Sequence, residues 1–301
     1  MKKLYNLTII SINYKIKIGD NMNSNEILVG IAILPVIALL FYVYKKDPNK
    51  ETFGSLFKIF VFGVISTIPA AILEIIVDKI IPTNHLNLFT LFIYVFIGVA
   101  LIEEFVKWFI VKTFIYKTDK FDEYYDAVVY CTYVSLGFAC LENIGYVLQS
   151  GISVGIMRAL TSVPGHTCFG IIMGYYLCYT KFNELRSNKE ASKYNILSLL
   201  YPVIAHTLYD YLLMVAVSSS RTNYYTVLII WLIFYIILLV YCIKLINKVS
   251  KQNQQFYSVN PVQNYQQPSQ INNTENKTCP SCGNPNAYGN FCSKCGYRFE
   301  K

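Results

Sequence analysis

Long runs of apolar residues, separated by short polar segments, fill most of the first 250 positions of the chain. A helix needs about 20 apolar residues to cross the hydrocarbon core of a bilayer, and seven runs are long enough. They cover residues 27–44, 56–77, 88–110, 127–148, 152–179, 196–217 and 225–246. The pattern predicts an all-α polytopic membrane protein with about seven transmembrane helices, and the lipid bilayer is its first expected partner.

Composition supports this interpretation. Of the 301 residues, 54% are hydrophobic and only 15% are charged, whereas a soluble domain carries about 25% charged residues. An ordinary soluble globule and a disordered chain are therefore both excluded for most of the length. The net charge of +8 does not indicate nucleic acid, because Lys and Arg in membrane proteins mark the cytoplasmic loops.

Basic residues concentrate in alternate loops. The odd-numbered loops and the segment after the last run contain Lys45, Lys46, Lys50, Lys117, Lys120, Lys181, Arg186, Lys189, Lys193, Lys248 and Lys251. The even-numbered loops contain only Lys79 and Arg221. The positive-inside rule then places the odd loops and the C-terminus in the cytoplasm. With seven crossings, the N-terminus lies outside the cell membrane.

The first 21 residues contradict that orientation, because they contain Lys2, Lys3, Lys15 and Lys17. Our hypothesis is that residues 1–21 are a mis-annotated start and that translation begins at Met22, which the intact mass of the native protein would test. The expected organisation is an N-terminal tail (1–26), a membrane domain (27–247), a Gln/Asn-rich linker (248–278) and a small C-terminal domain (279–299).

That C-terminal domain contains two Cys-x-x-Cys-Gly motifs. Four thiolates at this spacing predict a closed tetrahedral zinc ribbon with a structural rather than a catalytic Zn²⁺. Two disulfides are the alternative, and the reducing cytoplasm disfavours them. The ribbon is expected to be an interaction module for a protein partner, and its zinc ligands are Cys279, Cys282, Cys292 and Cys295. The other cysteines are interpreted as core residues: Cys131, Cys140, Cys168, Cys178 and Cys242.

Charged and imidazole side chains also occur within the apolar runs. A charge at mid-bilayer costs at least about 2.5 kcal/mol, so such residues usually have a function. Spacing pairs several of them on one helix face, at i,i+3 or i,i+4. Pro164-Gly165 can interrupt the fifth helix beside the histidine there. The residues are Glu103, Glu104 and Lys107 in the third run, Glu142 and Asn143 in the fourth, His166 in the fifth, and His206 and Asp210 in the sixth.

These groups suit two hydrolytic chemistries. In the first, a second Zn²⁺ activates water, a free Glu acts as base, and the ligands come from Glu142, His166, His206 and Asp210. In the second, no metal is needed, because a Glu activates water directly and the histidines or Asn143 stabilise the oxyanion. Either chemistry would hydrolyse a peptide bond inside the membrane.

The same residues resemble the PrsW family of intramembrane proteases. The family pattern is E-E-x-x-K, F-x-x-x-E, a lone His and H-x-x-x-D on separate spans, and it is matched by residues 103–107, 138–142, His166 and 206–210. The resemblance covers about residues 27–217 and leaves the linker and the ribbon outside. It implies a metal- or glutamate-dependent endopeptidase that cleaves membrane-anchored proteins, such as anti-sigma-factor-like regulators. The active-site residues that it implies are Glu103, Glu104, Glu142, His166, His206 and Asp210. The predicted site also includes Lys107, which fixes a neighbouring carboxylate, and Asn143.

Two other functional classes use the same residues. A proton- or ion-coupled transporter needs buried acids and histidines, although it usually shows internal repeats. A catalytically inactive sensor or scaffold would have the same topology. Two further charged residues are kept out of the predicted site: Arg158 is interpreted as a snorkelling or pairing residue, and Glu74 as its partner or as an outer-interface residue.

Overall fold

A computed structural model describes residues 24–81, 87–118, 120–185, 189–219, 221–259 and 278–283. This part of the chain is helical and contains no strand, which confirms the all-α prediction. The predictions for residues 1–21, for most of the linker and for Cys292 and Cys295 lie outside the described residues.

Nine α-helices make up the described part. In chain order they are α1 (Ser24–Lys46), α2 (Phe53–Ile80), α3 (Leu88–Val95), α4 (Leu101–Phe114), α5 (Tyr124–Ser150), α6 (Ile152–Leu160), α7 (Ser162–Leu185), α8 (Glu190–Ser218) and α9 (Arg221–Val259). A π-helical segment, Phe96–Ala100, joins α3 to α4 without a break. Such a bulge adds a residue to the turn and is frequent at functional sites.

Six helical stretches in the described residues are long and apolar enough to cross a membrane. They correspond to α1, α2, α3 with α4, α5, α8 and α9. The seventh span, expected over residues 152–179, is not confirmed, because this region forms the short helix α6 and the longer α7 instead. The chain breaks at Thr161, three residues before Pro164, which sits in the first turn of α7, where proline is tolerated.

The position of α7 in the bundle explains why it is less apolar than a lipid-facing span. Every residue from 165 to 175 is buried, as is every residue from 125 to 140 of α5. A helix that contacts protein on all sides can contain more polar residues, such as Thr, Tyr and His, than a helix in contact with lipid, which must be predominantly apolar. The outer helices show the opposite pattern, with exposed side chains such as Ile72, Ile76, Ile229 and Ile233.

Glycines let α5 approach its neighbours closely. A Cβ atom built on Gly174 of α7 would lie 2.5 Å from the backbone oxygen of Ala127, and one on Gly170 would lie 2.8 Å from the Cα of Thr132. On the other side of α5, Gly137 faces the backbone oxygen of Phe60 on α2. Small residues at these crossings bring the backbones together, as in other membrane bundles.

Hydrogen bonds join the predicted cytoplasmic segments at one end of the bundle. The Glu123 carboxylate accepts from the amide of Asn49 in the first loop and, at 2.6 Å, from Asn253 near the end of α9. The Lys181 ammonium of α7 donates to the backbone oxygen of Tyr116 at 2.7 Å. The first and third loops and the C-terminal ends of α7 and α9 therefore lie together.

We predict that Gly174→Ala lowers the melting temperature of the detergent-solubilised protein. The added methyl group overpacks the α5–α7 crossing, which typically costs about 1–3 kcal/mol. Gly30→Ala on α1 is the matched control, because a Cβ atom there meets nothing within 4 Å. Equal melting temperatures for the two variants would contradict the close packing.

The Glu123 cluster predicts a pH-dependent stability. Burial raises the pKa of Glu123 to about 7, although hydrogen bonds from Asn49 and Asn253 oppose the shift. Burial likewise raises the pKa of Asp47 to about 6. An acid whose pKa is higher in the folded state stabilises the fold when protonated. That stabilisation is complete below the unfolded-state pKa of about 4.3 and is lost as the pH rises through about 7.

Thermal melts between pH 4 and pH 8 measure this effect. We expect the melting temperature of the wild type to fall as the pH rises, and the slope to be smaller in Glu123→Gln, which cannot ionise. Glu26→Gln, at an exposed position, should keep the wild-type slope. A Glu123→Gln slope equal to that of the wild type would refute the assignment.

Candidate active site

The ammonium group of Lys107 lies at the centre of the polar interior. Its Nζ atom is 3.1 Å from Glu103 Oε2, 2.8 Å from Glu104 Oε1 and 3.2 Å from His166 Nδ1. The three acceptors match the three N–H bonds of an ammonium group. Lys107 is completely buried, and the face of the Phe138 ring lies 4.1 Å from Nζ.

The geometry of α4 brings the two carboxylates to this lysine. Lys107 follows Glu104 by three residues and Glu103 by four, so all three lie on adjacent turns of one helix. Phe138 precedes Glu142 by four residues on α5 and closes the cluster with its ring. The sequence pattern thus predicted the pairing within α4, which the structure confirms.

His206 bridges two carboxylates from different helices. Its Nδ1 atom is 2.9 Å from Glu104 Oε1, and its Nε2 atom is 3.3 Å from Asp210 Oδ2, one turn further along α8. A hydrogen bond to each ionised carboxylate requires a proton on each ring nitrogen. The ring of Phe169 stacks on the imidazole at a centroid distance of 4.5 Å. His206 therefore joins α4 and α8 through charge-assisted contacts.

His166 connects the lysine to a second acid. Because its Nδ1 atom accepts from Lys107, its Nε2 atom carries the proton and donates to Glu142 Oε2 at 2.9 Å. This tautomer follows from the hydrogen-bond partners. Glu142 also forms an ion pair with Arg158, whose Nη2 atom is 3.0 Å from the same oxygen. A guanidinium group from α6 thus compensates the acid from α5.

The Asn143 side chain links α1 to Arg158 through two hydrogen bonds. Its Nδ2 atom donates to the backbone oxygen of Ala32 on α1 at 3.0 Å, and its Oδ1 atom accepts from Nε of Arg158 at 3.0 Å. One amide hydrogen of Asn143 is used by Ala32, and the role of Asn143 as an oxyanion donor, which would use the other, stays a prediction. The Oδ1 atom orients Arg158, which also lies over the Tyr146 ring at 3.9 Å.

All eight side chains of the predicted site therefore belong to one connected network. It runs from Glu103 through Lys107 and Glu104 to His206 and Asp210, with a branch from Lys107 through His166 to Glu142 and, by way of Arg158, to Asn143. The helices that supply these groups are α4, α5, α6, α7 and α8.

Sequence reasoning kept Arg158 and Glu74 out of the site. Arg158 does form a pair, as predicted, but its partner is Glu142 rather than Glu74. Glu74 on α2 interacts electrostatically with Glu103, Glu142, Lys107 and His206, so it borders the site. The signal that could have indicated both residues is their occurrence as charged groups within apolar runs.

One group within the described residues has donors close enough to hold a metal ion. Glu103, Glu104 and His166 each offer a ligand atom, and these atoms lie within 4.8 Å of one another. Carboxylate and imidazole donors suit Zn²⁺, and the buried Glu104 Oε2 has no hydrogen-bond partner. The predicted ligand set overlaps with this group only in His166, because Glu142, His206 and Asp210 do not belong to it.

Comparison with known proteins agrees with this site. Residues 51–240 match a family described as "PrsW family intramembrane metalloprotease". The matched segment contains every residue of the network except Ala32, which contributes only its backbone.

Several bacterial proteins named "Protease PrsW" are similar to the chain. The one from Geobacillus kaustophilus (strain HTA426) is 38% identical over 201 residues, which cover 66% of this chain and 83% of that protein. The one from Oceanobacillus iheyensis is 35% identical and covers 62% and 82%, and the one from Bacillus subtilis (strain 168) is 35% identical and covers 62% and 82%.

No solved structure matches the chain. The relatives do not favour the transporter or the inactive scaffold considered above. The family match, the relatives and the buried Glu/His group agree on one assignment. The chain belongs to the PrsW family of intramembrane proteases and is a membrane-embedded peptidase that hydrolyses peptide bonds of membrane-anchored proteins.

Proposed function

We propose that this peptidase cleaves its substrate with Glu103 as the general base that activates water. The observation that supports this role is that Glu103 and Glu104 share one cation, the Lys107 ammonium, so that Glu103 is only partly neutralised. Glu103 contacts only that cation, through Oε2 at 3.1 Å, and shares it with Glu104. The second oxygen, Oε1, is left to bind a water molecule and to take its proton.

Two other acids of the network, Glu104 and Glu142, have less freedom to accept a proton. One oxygen of Glu104 contacts both Lys107 and His206, and one oxygen of Glu142 contacts both His166 and Arg158. A carboxylate held by two cationic or N–H donors is stabilised in its ionised form. We therefore assign Glu104 and Glu142 to positioning the cations of the site.

In the proposed reaction, the water oxygen attacks the peptide carbonyl carbon while its proton passes to Glu103. The carbonyl oxygen becomes an oxyanion, for which Arg158 provides the donors. Its guanidinium group has five N–H bonds, and the contacts with Asn143 and Glu142 leave some of them unused. The C–N bond then breaks, and the leaving amine takes the proton from Glu103.

The metal-assisted alternative uses an overlapping set of residues. Glu103, Glu104 and His166 would hold the ion in place of the Lys107 ammonium, and the ion would supply activated water near neutral pH and polarise the carbonyl group. In that case His206 and Asp210 would keep Glu104 oriented, as carboxylate–imidazole pairs do around metal ligands.

We further propose that the end of the bundle containing Glu123 faces the cytoplasm and that the N-terminus lies outside. The support is that the lysine-rich odd loops meet at this end, as the contacts of Asn49, Tyr116 and Asn253 show. The chain then crosses seven times, with α6 and α7 forming one crossing. Single-pass regulators of the anti-sigma-factor type are the proposed substrates.

For the tail, we propose a structural zinc ribbon that recruits a protein partner. Its support is the geometry of the first motif. Gly283 has a φ of +69°, and its N–H donates to the backbone oxygen of Cys279 at 2.8 Å. A tight turn of this kind allows two thiolates to face one metal ion.

We predict that Glu103→Gln lowers the rate of cleavage of a single-pass membrane substrate by about 10²–10⁴-fold, since an amide cannot take the proton of water. The assay compares purified variants in detergent or liposomes with matched melting temperatures. Glu26→Gln, at an exposed position outside the network, should cleave at the wild-type rate. A Glu103→Gln protein that retains wild-type cleavage would remove the proposed base.

We predict that the full chain contains one zinc per molecule in its tail. Replacement of Cys279, Cys282, Cys292 and Cys295 by Ser should remove it, because hydroxyl groups do not replace thiolate ligands. Mass-spectrometric metal content gives the stoichiometry. The matched control replaces four cysteines of the helices by Ser and should retain the metal; they are Cys131, Cys140, Cys168 and Cys178. An unchanged zinc content after the tail replacements would argue against the ribbon.

A further inference from the structure

We propose that the ammonium group of Lys107 occupies the cation position of the Glu103–Glu104–His166 group, so that this ammonium and a divalent metal ion exclude each other there. The three residues that could hold a metal are the three that Lys107 contacts. This inference rests on the geometry of the group and is independent of the role proposed for Glu103 in catalysis.

The space among the three donors is already filled. The Nζ atom lies 2.8–3.2 Å from an atom of each residue, whereas zinc would bind carboxylate oxygens and imidazole nitrogens at about 2.0–2.2 Å. A metal would therefore draw the donors inward around the point at which Nζ now sits. Two positive charges cannot share that point.

The ammonium is also held by the fold. Lys107 is completely buried, its three N–H bonds have three acceptors, and the Phe138 ring covers it at 4.1 Å. It is covalently part of α4, so it is always present beside Glu103 and Glu104 and competes with any free ion. Removal of this side chain would leave two carboxylates and an imidazole with a cation-sized space, which is a donor set that zinc prefers.

Zinc uptake by the full chain tests the inference without an activity assay. All proteins contain Ser at the four tail cysteines, so that thiolates there cannot bind metal. The full chain with an otherwise wild-type sequence is compared with the same chain carrying Lys107→Met. Both are dialysed to equilibrium against zinc, and their metal content is measured by mass spectrometry. Lys112→Met is the matched control, because it removes a lysine of the same helix whose Nζ lies over the Tyr116 ring instead.

The expected result is no zinc in the wild type and Lys112→Met above the buffer blank, and close to one equivalent in Lys107→Met. The affinity for zinc should rise at least tenfold, which corresponds to about 1.4 kcal/mol. Addition of His166→Ala to Lys107→Met should remove the zinc again. Zinc should also raise the melting temperature of Lys107→Met more than that of the wild type.

Two results would overturn the inference. One is a wild-type protein that takes up one equivalent of zinc and loses it on His166→Ala, since metal and ammonium would then coexist. The other is a folded Lys107→Met protein that takes up no more zinc than Lys112→Met. If Lys107→Met can be purified only with zinc present, the inference is supported. If Lys107→Met cannot be purified at all, the zinc content of the wild type is compared with that of His166→Ala. Zinc bound by the wild type and lost in His166→Ala would overturn the inference, and no zinc in either would support it.

Discussion

The contact between one ammonium group and two carboxylates organises the interior of this protein. An isolated charge within a membrane protein is expensive, and each acid here is stabilised only because a cation from the same or another helix meets it. Lys107 compensates Glu103 and Glu104 and also donates to His166 Nδ1. The helices that supply these groups must therefore come together at one depth, or several charges would be buried without a partner.

Helix packing makes this convergence feasible. The small residues at Gly137, Gly170 and Gly174 bring α2 and α7 against α5 at backbone distance. With α5 and α7 so close, His166 reaches both Lys107 and Glu142. His206 reaches Glu104 from α8 in the same way. The apolar contacts of the bundle thus determine the distances at which the polar network forms, and the network in turn fixes the rotation of each helix.

The two central helices show why hydropathy alone describes the fold incompletely. The apolar pattern indicated α1, α2, α3 with α4, α5, α8 and α9 correctly, and it also indicated residues 152–179 as a seventh span. Residues 152–185 form the short α6 and the longer α7 instead, and α7, which is enclosed by protein like α5, is the less apolar of these two helices because of its Gly, Thr and His residues. The predicted interruption at Pro164-Gly165 was also misplaced, because the chain breaks at Thr161 and Pro164 lies in the first turn of α7, where proline is tolerated.

The sequence by itself determined the helical membrane fold, the eight polar residues of the network and the pairs within one helix, because helical periodicity predicts which residues share a face. Glu103 with Lys107 and His206 with Asp210 followed from i,i+4 spacing. Tertiary structure alone decided the contacts between helices: Lys107 with His166, 59 residues apart, and Glu104 with His206, 102 residues apart. It also decided that Arg158 pairs with Glu142. The three residues close enough to share a metal, Glu103, Glu104 and His166, surround the Lys107 ammonium for the same reason. Those contacts depend on the depth and rotation of whole helices. Packing between helices sets both, whereas the periodicity within a single helix carries no information about either.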